Sequence, residues 1–289
     1  MKRHRASITW LGAILGSLCA LLAFALSAHA ADHRGSLTEE FHQTYPLTAD
    51  GRVELDNING DVRISSWDRN EIKVDAVKYA DTKERLEEAK IEVNAGQSSI
   101  SIRTKYPDHE SHWGWHNNPA SVEYTLTVPR AARLDEIKLI NGALDVNGVA
   151  GEVRASCING RLDAQNLAGE ARLSTINGHL HAAFDKLNGH SVELSSVNGG
   201  LDLTIPSDAN ARVEAQTVSG GIENDLGLHV NNHRFVGHDL NGELGSGRTR
   251  IELKNVNGHI DIHHANDGHS MSPAKDLGQH DDDKDDSEI

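Results

Sequence analysis

Acidic residues recur at one position of a repeating unit: Asp145, Asp163, Asp202, Glu223 and Asp261, with His181 taking the place once. If the units stack as neighbouring strands, Asp145 and Asp163 stand about 4.8 Å apart. Two carboxylates that close could hold a hard cation such as calcium. The spacing is also near that of the paired carboxyl groups in retaining glycosidases. The plain alternative is a solvated acidic edge that keeps the sheet soluble and discourages side-to-side pairing. Neighbouring columns of mixed sign favour that alternative, with Glu170 and Arg212 in one and Arg172, Glu193 and Glu214 in the other. Exposed pairs of this kind are of modest energetic value.

Three other places carry chemistry-bearing residues. The polar loop over residues 105–120 holds His109, His112 and His116 with Asp108 and Glu110. Imidazoles could ligate zinc or copper, but their spacing matches no metal motif. Trp113 and Trp115 sit in the same loop, and exposed loop aromatics suit contact with a sugar ring, a lipid headgroup or a protein. Trp113, Trp115, His112 and His116 are therefore the candidate partner contact, unless the tryptophans pack down against the fold. Cys157 fills the unit-start place taken elsewhere by Thr175, Ser196 and Thr217, which reads as a small semi-buried residue rather than a nucleophile. The tail brings His259, His263, His264 and His269 towards an Asp-rich end at residues 280–286. Weak divalent-metal capture is conceivable there, against a solvated, structureless end.

The element that must position these residues is a repeat. Aliphatic-Asn-Gly recurs at Asn141, Asn159, Asn177, Asn198, Asn241 and Asn257, with Ser219-Gly220 once in the same place and an outlying copy at Asn59. Units start at Leu139, Cys157, Thr175, Ser196, Thr217, Asp239 and Asn255, at intervals of 18, 18, 21, 21, 22 and 16 residues. Self-similarity near 20 residues marks a stacked architecture. The second and sixth positions are always aliphatic, from Ile140 and Leu144 to Val256 and Ile260, and a second apolar pair such as Val153 and Ala155 closes most units. Both sets are expected to face a shared interior, on two short strands per unit, with each strand pairing to its equivalent one unit on. Gly supplies the positive φ of the corner, and Asn tolerates the left-handed region. Stacked Asn59, Asn141, Asn159, Asn177, Asn198, Asn241 and Asn257 are expected to form a structural amide ladder along the turns. The rival reading makes each Asn-Gly a hairpin turn in an antiparallel meander.

Composition narrows the class. The chain has 289 residues, 4% aromatics, 26 glycines and 6 prolines, so its core is aliphatic and its strands short. A net charge of −15 lacks the basic footprint of a general nucleic-acid binder. Residues 1–30 read as a signal peptide: Lys2, Arg3 and Arg5, an apolar run over 8–26, then Ala28-His29-Ala30 before a mature start at Ala31. An uncleaved anchoring helix is the alternative. Cleavage leaves Cys157 as the one cysteine, so no intrachain disulfide can form, and takes the charge to −18.

The remaining organisation follows in order. Residues 31–138 read as an N-terminal β part of the solenoid domain, with a strand at 41–47, Asn59-Gly60 between alternating strands, a short helix at 82–90 capped by Asp81, a hairpin about Gly96-Gln97 and the polar loop. Residues 139–264 form the repeat solenoid, and 265–289 a disordered acidic tail. The fold class is all-β: a parallel β-helix or β-solenoid of a single chain, with one short helix in the N-terminal half.

GRVELDNINGDVRISSWDRNEIKVDAVKY, SVEYTLTVPRAARLD and the INGxLDxxxxxGEVxxS units together resemble the bacterial β-strand-repeat family known as "putative adhesin", over residues 52–262. The resemblance implies an exported, envelope-associated β-solenoid with no established activity. Two functions follow. The leading one is a non-catalytic, adhesin-like envelope protein that presents a surface to a glycan, lipid or protein partner and needs no cofactor. It has no P-loop, G-x-S-x-G, H-E-x-x-H or paired C-x-x-C. The other is a polysaccharide-cleaving β-helix enzyme using Asp145, Asp163 and Asp202, although no basic cluster accompanies that row.

Overall fold

A unit with two short strands and one glycine corner cannot bury its own apolar face, so it must borrow neighbours. The computed structural model shows how. It describes residues 37–107, 119–232 and 237–277, all within the compact unit Gly35–Ile289. In chain order come β1 (Leu37–Pro46), β2 (Arg52–Asn59), β3 (Val62–Trp67), β4 (Glu71–Ala80), the helix α1 (Lys83–Glu88), β5 (Lys90–Ala95), β6 (Ser99–Lys105) and β7 (Ser121–Pro129). The repeats then supply β8 (Arg133–Asn141), β9 (Leu144–Asn147), β10 (Val153–Asn159), β11 (Leu162–Leu167), β12 (Ala171–Asn177), β13 (Leu180–Phe184), β14 (Val192–Asn198) and β15 (Leu201–Ile205). Last come β16 (Ala211–Ser219), β17 (Ile222–Asn224), β18 (Val230–Asn232), β19 (His238–Leu244), β20 (Thr249–Asn257), β21 (Ile260–His264) and β22 (Ala274–Asp276).

Each rung places one strand in each of two sheets, so the fold is an all-β solenoid. The stack runs β6/β7, β2/β3, β8/β9, β10/β11, β12/β13, β14/β15, β20/β21, β16/β17, and all these neighbours are parallel. Antiparallel pairing, the basis of the meander reading, is confined to the two ends. There β4 lies on β7 and β1 on β4, β5 on β6, and β19 on β16 with β18 and β22 on β19.

The order of rungs departs from the order of sequence at both ends. The rung β6/β7 lies outside β2/β3, and β20/β21 slots between β14/β15 and β16/β17. At the second place the cause is visible. After β17 the chain returns through β18 and β19, and β19 runs antiparallel along one edge of β16 from Ala211–Leu244 to Thr217–His238. The next strand, β20, therefore takes the edge of β16 that is left. This corrects the reading of Asn241 as a turn-ladder residue. Asn241 sits inside β19 opposite Glu214, and its neighbour Gly242 is held close to the Leu228 side chain.

The second-position aliphatics also differ from expectation. Val153, Ala155 and Cys157 point inward on β10, so the parity of a strand turns Ile158 outward. Ile176, Val197, Val218 and Val256 follow the same rule and are exposed. The sixth-position residues Leu144, Leu162, Leu180, Leu201, Ile260 and Ile222 are buried, facing the closing pairs such as Leu173 and Leu194. Two smaller corrections concern local elements. The helix is capped by the Thr82 hydroxyl, which accepts from the Arg85 N–H at 3.3 Å, rather than by Asp81. The segment expected to be structureless from residue 265 packs back, with β22 on β19 and the Leu277 N–H on the Asn241 carbonyl at 2.9 Å. Residues 278–289 lie outside the described residues.

The corner is where rungs come closest. Gly178 has φ +152°, and a Cβ placed on it would fall 2.0 Å from the Gly160 carbonyl oxygen. Gly268 shares a positive φ, +78°, but has open space around it. Gly268→Ala should therefore lose about 1–2 kcal/mol, the strain of a left-handed residue with a Cβ. Gly178→Ala should lose clearly more, as read from urea unfolding midpoints; equal losses would show that the neighbouring rung yields.

Candidate functional site

Two surfaces carry the sequence-predicted residues: the corner that joins the sheets, and the outer face of the ten-stranded sheet. Near the corner each first strand carries a buried unit-start side chain two residues before its end: Asn57, Leu139, Cys157, Thr175, Ser196, Asn255 or Thr217. Several of these bind the glycine carbonyl of the adjacent rung. Thr217 Oγ1 donates to Gly258 O at 3.2 Å, Asn255 Nδ2 to Gly199 O at 2.9 Å and Cys157 Sγ to Gly142 O at 3.4 Å. Burial pushes the Cys157 thiol up to about 11, which suits a packing residue and not a thiolate nucleophile. Asn57 donates to Asn59, Gly60 and Val122 carbonyls and accepts from the Thr104 hydroxyl, which in turn meets Tyr124 Oη at 2.8 Å. That buried chain ties the first rungs together.

The asparagines form a continuous amide ladder. Asn141 Nδ2 donates to Asn59 Oδ1 at 2.8 Å, Asn159 to Asn141 at 2.9 Å, Asn177 to Asn159 at 2.9 Å, Asn198 to Asn177 at 3.0 Å and Asn257 to Asn198 at 2.9 Å. The step from Asn198 to Asn257 lands on the inserted rung, so the ladder follows space rather than sequence. Beside it runs a row of exposed aliphatics: Ile158 (38%), Ile176 (44%), Val197 (39%), Val256 (42%) and Val218 (54%). The row ends in a groove of about 450 Å³, lined among others by Val256, Val218, His238, Asp239 and Lys254. Sequence reasoning had this row inside; the parity of each first strand was the signal that placed it outside.

On the ten-stranded sheet the acidic column is real but not uniform. Strand register sets Arg63, Asp145, Asp163, His181, Asp202, Asp261 and Glu223 in line. Arg161 Nη1 bridges Asp145 at 2.8 Å and Asp163 at 3.6 Å. His181 Nδ1 lies 3.2 Å from Asp163, and His179 Nε2 lies 2.7 Å from Asp202. Burial raises Asp145 above the usual carboxylate range, while the Arg161 guanidinium pulls it down. The pair singled out for cation binding or catalysis is thus held by a guanidinium between its members. At the other end the inserted rung puts Asp261 between Asp202 and Glu223. Burial raises Asp261, with the Asp202 and Glu223 charges and a hydrogen bond to Asp202 adding to it.

The remaining sequence candidates fall apart in space. His263 meets Asp225 at 3.2 Å, His264 Nδ1 meets Ser207 Oγ at 3.0 Å and His269 lies beside Asp267 at 3.5 Å. Among the described residues, Asp208, Asp267 and His269 bring ligand atoms within 4.8 Å of one another, all exposed. Asp267 is already engaged by the Ser207 and His269 N–H groups, at 3.1 Å each. Trp113, Trp115, His112 and His116 lie outside the described residues. Opposite the corner, Arg172 grips Glu193 through Nε at 2.7 Å and Nη2 at 3.0 Å, as the mixed-charge ladder predicts.

This geometry defines a capped two-sheet β-solenoid. The chain belongs to the Toastrack DUF4097 family, whose model matches residues 48–263. Among solved structures it is similar to "a putative cell adhesion protein" from Clostridium sporogenes ATCC 15579, at 14% identity and TM-score 0.46, covering 78% of this chain and 100% of that one. It is also similar to "a putative adhesin" from Bacteroides fragilis NCTC 9343, at 11% identity and TM-score 0.34, covering 78% and 97%. A third is a "putative lipid binding protein" from Parabacteroides distasonis ATCC 8503, at 9% identity and TM-score 0.25, covering 78% and 96%. No curated protein matches the chain.

Asp261 yields a signed prediction. Its folded pKa lies above its unfolded one, so stability falls as pH rises from the ordinary carboxylate value towards the raised one. At neutral pH the charged form costs stability. Asp261→Asn should raise the Tm at pH 7, and the gain should vanish below the ordinary carboxylate pKa, where both states are protonated. A lower Tm at pH 7 would mean that the Asp261 carboxylate holds the rungs together.

Proposed function

We propose that the protein is a non-catalytic, adhesin-like protein of the cell envelope that uses its solenoid corner to hold a partner. One observation carries this reading: exposed Ile158, Ile176, Val197, Val256 and Val218 stand in line on consecutive rungs and run into the groove at Val218. Contiguous exposed aliphatics are uncommon on a soluble surface without a contact to make. The amide ladder beside them is already paired along its length, so it presents a rigid, regular edge. A protein or lipid with an apolar contact face fits this corner. A glycan remains the outcome to be tested against.

Ile176→Lys and Val218→Lys alter exposed side chains and should leave unfolding unchanged while lowering capture of the partner from envelope extract several-fold. In the unsubstituted chain, cross-links should fall on Lys138 and Lys254, which flank the corner. Capture unaffected by both substitutions would remove the corner from the function.

Export supports the same reading. The basic start, apolar run and Ala28-His29-Ala30 favour cleavage before Ala31. N-terminal sequencing of protein recovered from the envelope should begin at Ala31. A chain that starts at Met1 would replace release by anchoring.

The enzyme reading gains less from the geometry, because Arg161 occupies the space between Asp145 and Asp163.

A further inference from the structure

The ends of the two sheets are protected unequally. At the ends of the paired-strand order, β17 and β18 have three residues each. The edge strand β5 has six, carries Lys90 at its start and lies beside the Lys105–Glu92 ion pair at 2.7 Å. The remaining edge, β1, has ten residues, pairs on one side only, with β4, and contains no lysine and no proline before its last position. Its side chains are exposed except for the half-buried Phe41 and Tyr45. A long open strand presents a row of unpaired N–H and C=O groups, and natural proteins normally shorten, charge or cover such an edge. Among the described residues no second strand pairs with β1, although α1 packs beside it.

The sequence of β1 is complementary to itself. Laid antiparallel on a second copy about a twofold axis at Phe41, the strand sets Leu37 opposite the partner's Tyr45 and Thr38 opposite the partner's Thr44. Glu39 then faces the partner's Gln43, Glu40 the partner's His42, and Phe41 the partner's Phe41. No like charges stand opposite each other, and cross-strand aromatic, Thr–Thr and opposite-charge pairs each favour the pairing. His42 is already turned to this face, with Nδ1 2.8 Å from Asp75 and Nε2 3.1 Å from Glu40 of its own strand. Across the axis the charges would alternate Asp75, His42, the partner's Glu40. Such pairing is isologous and closes on two copies, so it ends rather than propagates.

We propose that β1 is the interface of a homodimer, in which the ten-stranded sheets of two copies join edge to edge through antiparallel β1 strands. The occupant is a second copy of this chain. The charge and side-chain complementarity about Phe41 selects it over an unrelated strand.

Register-specific cross-linking of the full chain tests this, in a Cys19→Ser background that leaves buried Cys157. Thr38→Cys and Thr44→Cys are exposed changes that disturb no packing. A mixture of the two variants should form disulfide-linked dimers under mild oxidation, and each variant alone should not. Thr38 and the partner's Thr38 would be six residues apart along the strands, about 20 Å, against a disulfide limit of about 7 Å between Cα atoms. Phe41→Cys should link alone. Adding Glu40→Lys should cut the linked fraction several-fold, and the exchange Glu40→His with His42→Glu should restore it. Linking no greater in the mixture than in either variant alone would overturn the dimer, as would Phe41→Cys linking only to a different polypeptide in envelope extract.

Discussion

Everything in this fold depends on how closely one rung's corner can approach the next. A Cβ on Gly160, Gly178, Gly199, Gly220 or Gly258 would lie about 2 Å from the glycine carbonyl of the adjoining rung, between 1.9 and 2.1 Å in each case. No side chain fits there, so the corner closes to strand spacing and the parallel ladders run through both sheets, with register shifts only at Val53/Glu54, Val153/Ala155 and Ala164/Leu167 among the described rungs. The other columns follow from that contact. The residue two before the asparagine turns inward to bind the same carbonyl or to pack beside it. The aliphatic residue between them is forced outward, and the asparagine amides fall within hydrogen-bonding reach of each other.

The stack shares out its polar residues in a consistent way. Inside the first rungs the polar exceptions to an aliphatic core are bonded, as Asn57, Thr104 and Tyr124 satisfy one another and the local backbone, whereas further along the stack the buried Ser196 and Thr249 hydroxyls have no hydrogen-bond partner among the described residues. Outside, cations stand between anions on both sheets, as with Arg161 between Asp145 and Asp163 or Arg250 near Glu214 and Glu252. Repulsion remains where the inserted rung aligns Asp202, Asp261 and Glu223. Those three residues lie far apart in two units and a later segment of sequence. Their meeting is a by-product of topology, not of any local motif.

Much of this was legible in the sequence. Periodic Asn-Gly pairs and in-phase aliphatics gave the solenoid, the two strands per unit and the amide ladder from Asn59 to Asn257. What was not legible has two causes. Units with the same columns can stack in any order, so local pattern carries no information on which rung neighbours which; the return strand β19 decided that, and it took Asn241 out of the ladder. The intervals of 22 and 16 residues around Asp239, and the Leu244-Gly245-Ser246-Gly247 run where a second strand should continue, were the available hints. The other cause is parity. Assigning both Ile158 and Leu162 to the interior overlooks that Ile158 directly follows inward-facing Cys157 on one strand. The acidic column was found correctly as a column. Its neutralisation by Arg161, two residues before Asp163, required knowing which way each strand faced.

The inserted rung has a consequence for how the chain can be made. A solenoid whose rungs follow sequence can grow in step with synthesis, each new unit settling on the last. Here that holds from β8/β9 to β14/β15. Beyond them, β16 and β17 have no parallel neighbour until residues 249–264 have emerged, because those residues supply the strands on which they rest. Until then β14, β15, β16 and β17 each leave an edge open, and this is the state in which nascent chains pair wrongly. The same arrangement limits how this chain could change length: a whole unit could be added or lost among the sequential rungs, but not at the end of the repeat, where the last strands written are not the last strands in the stack.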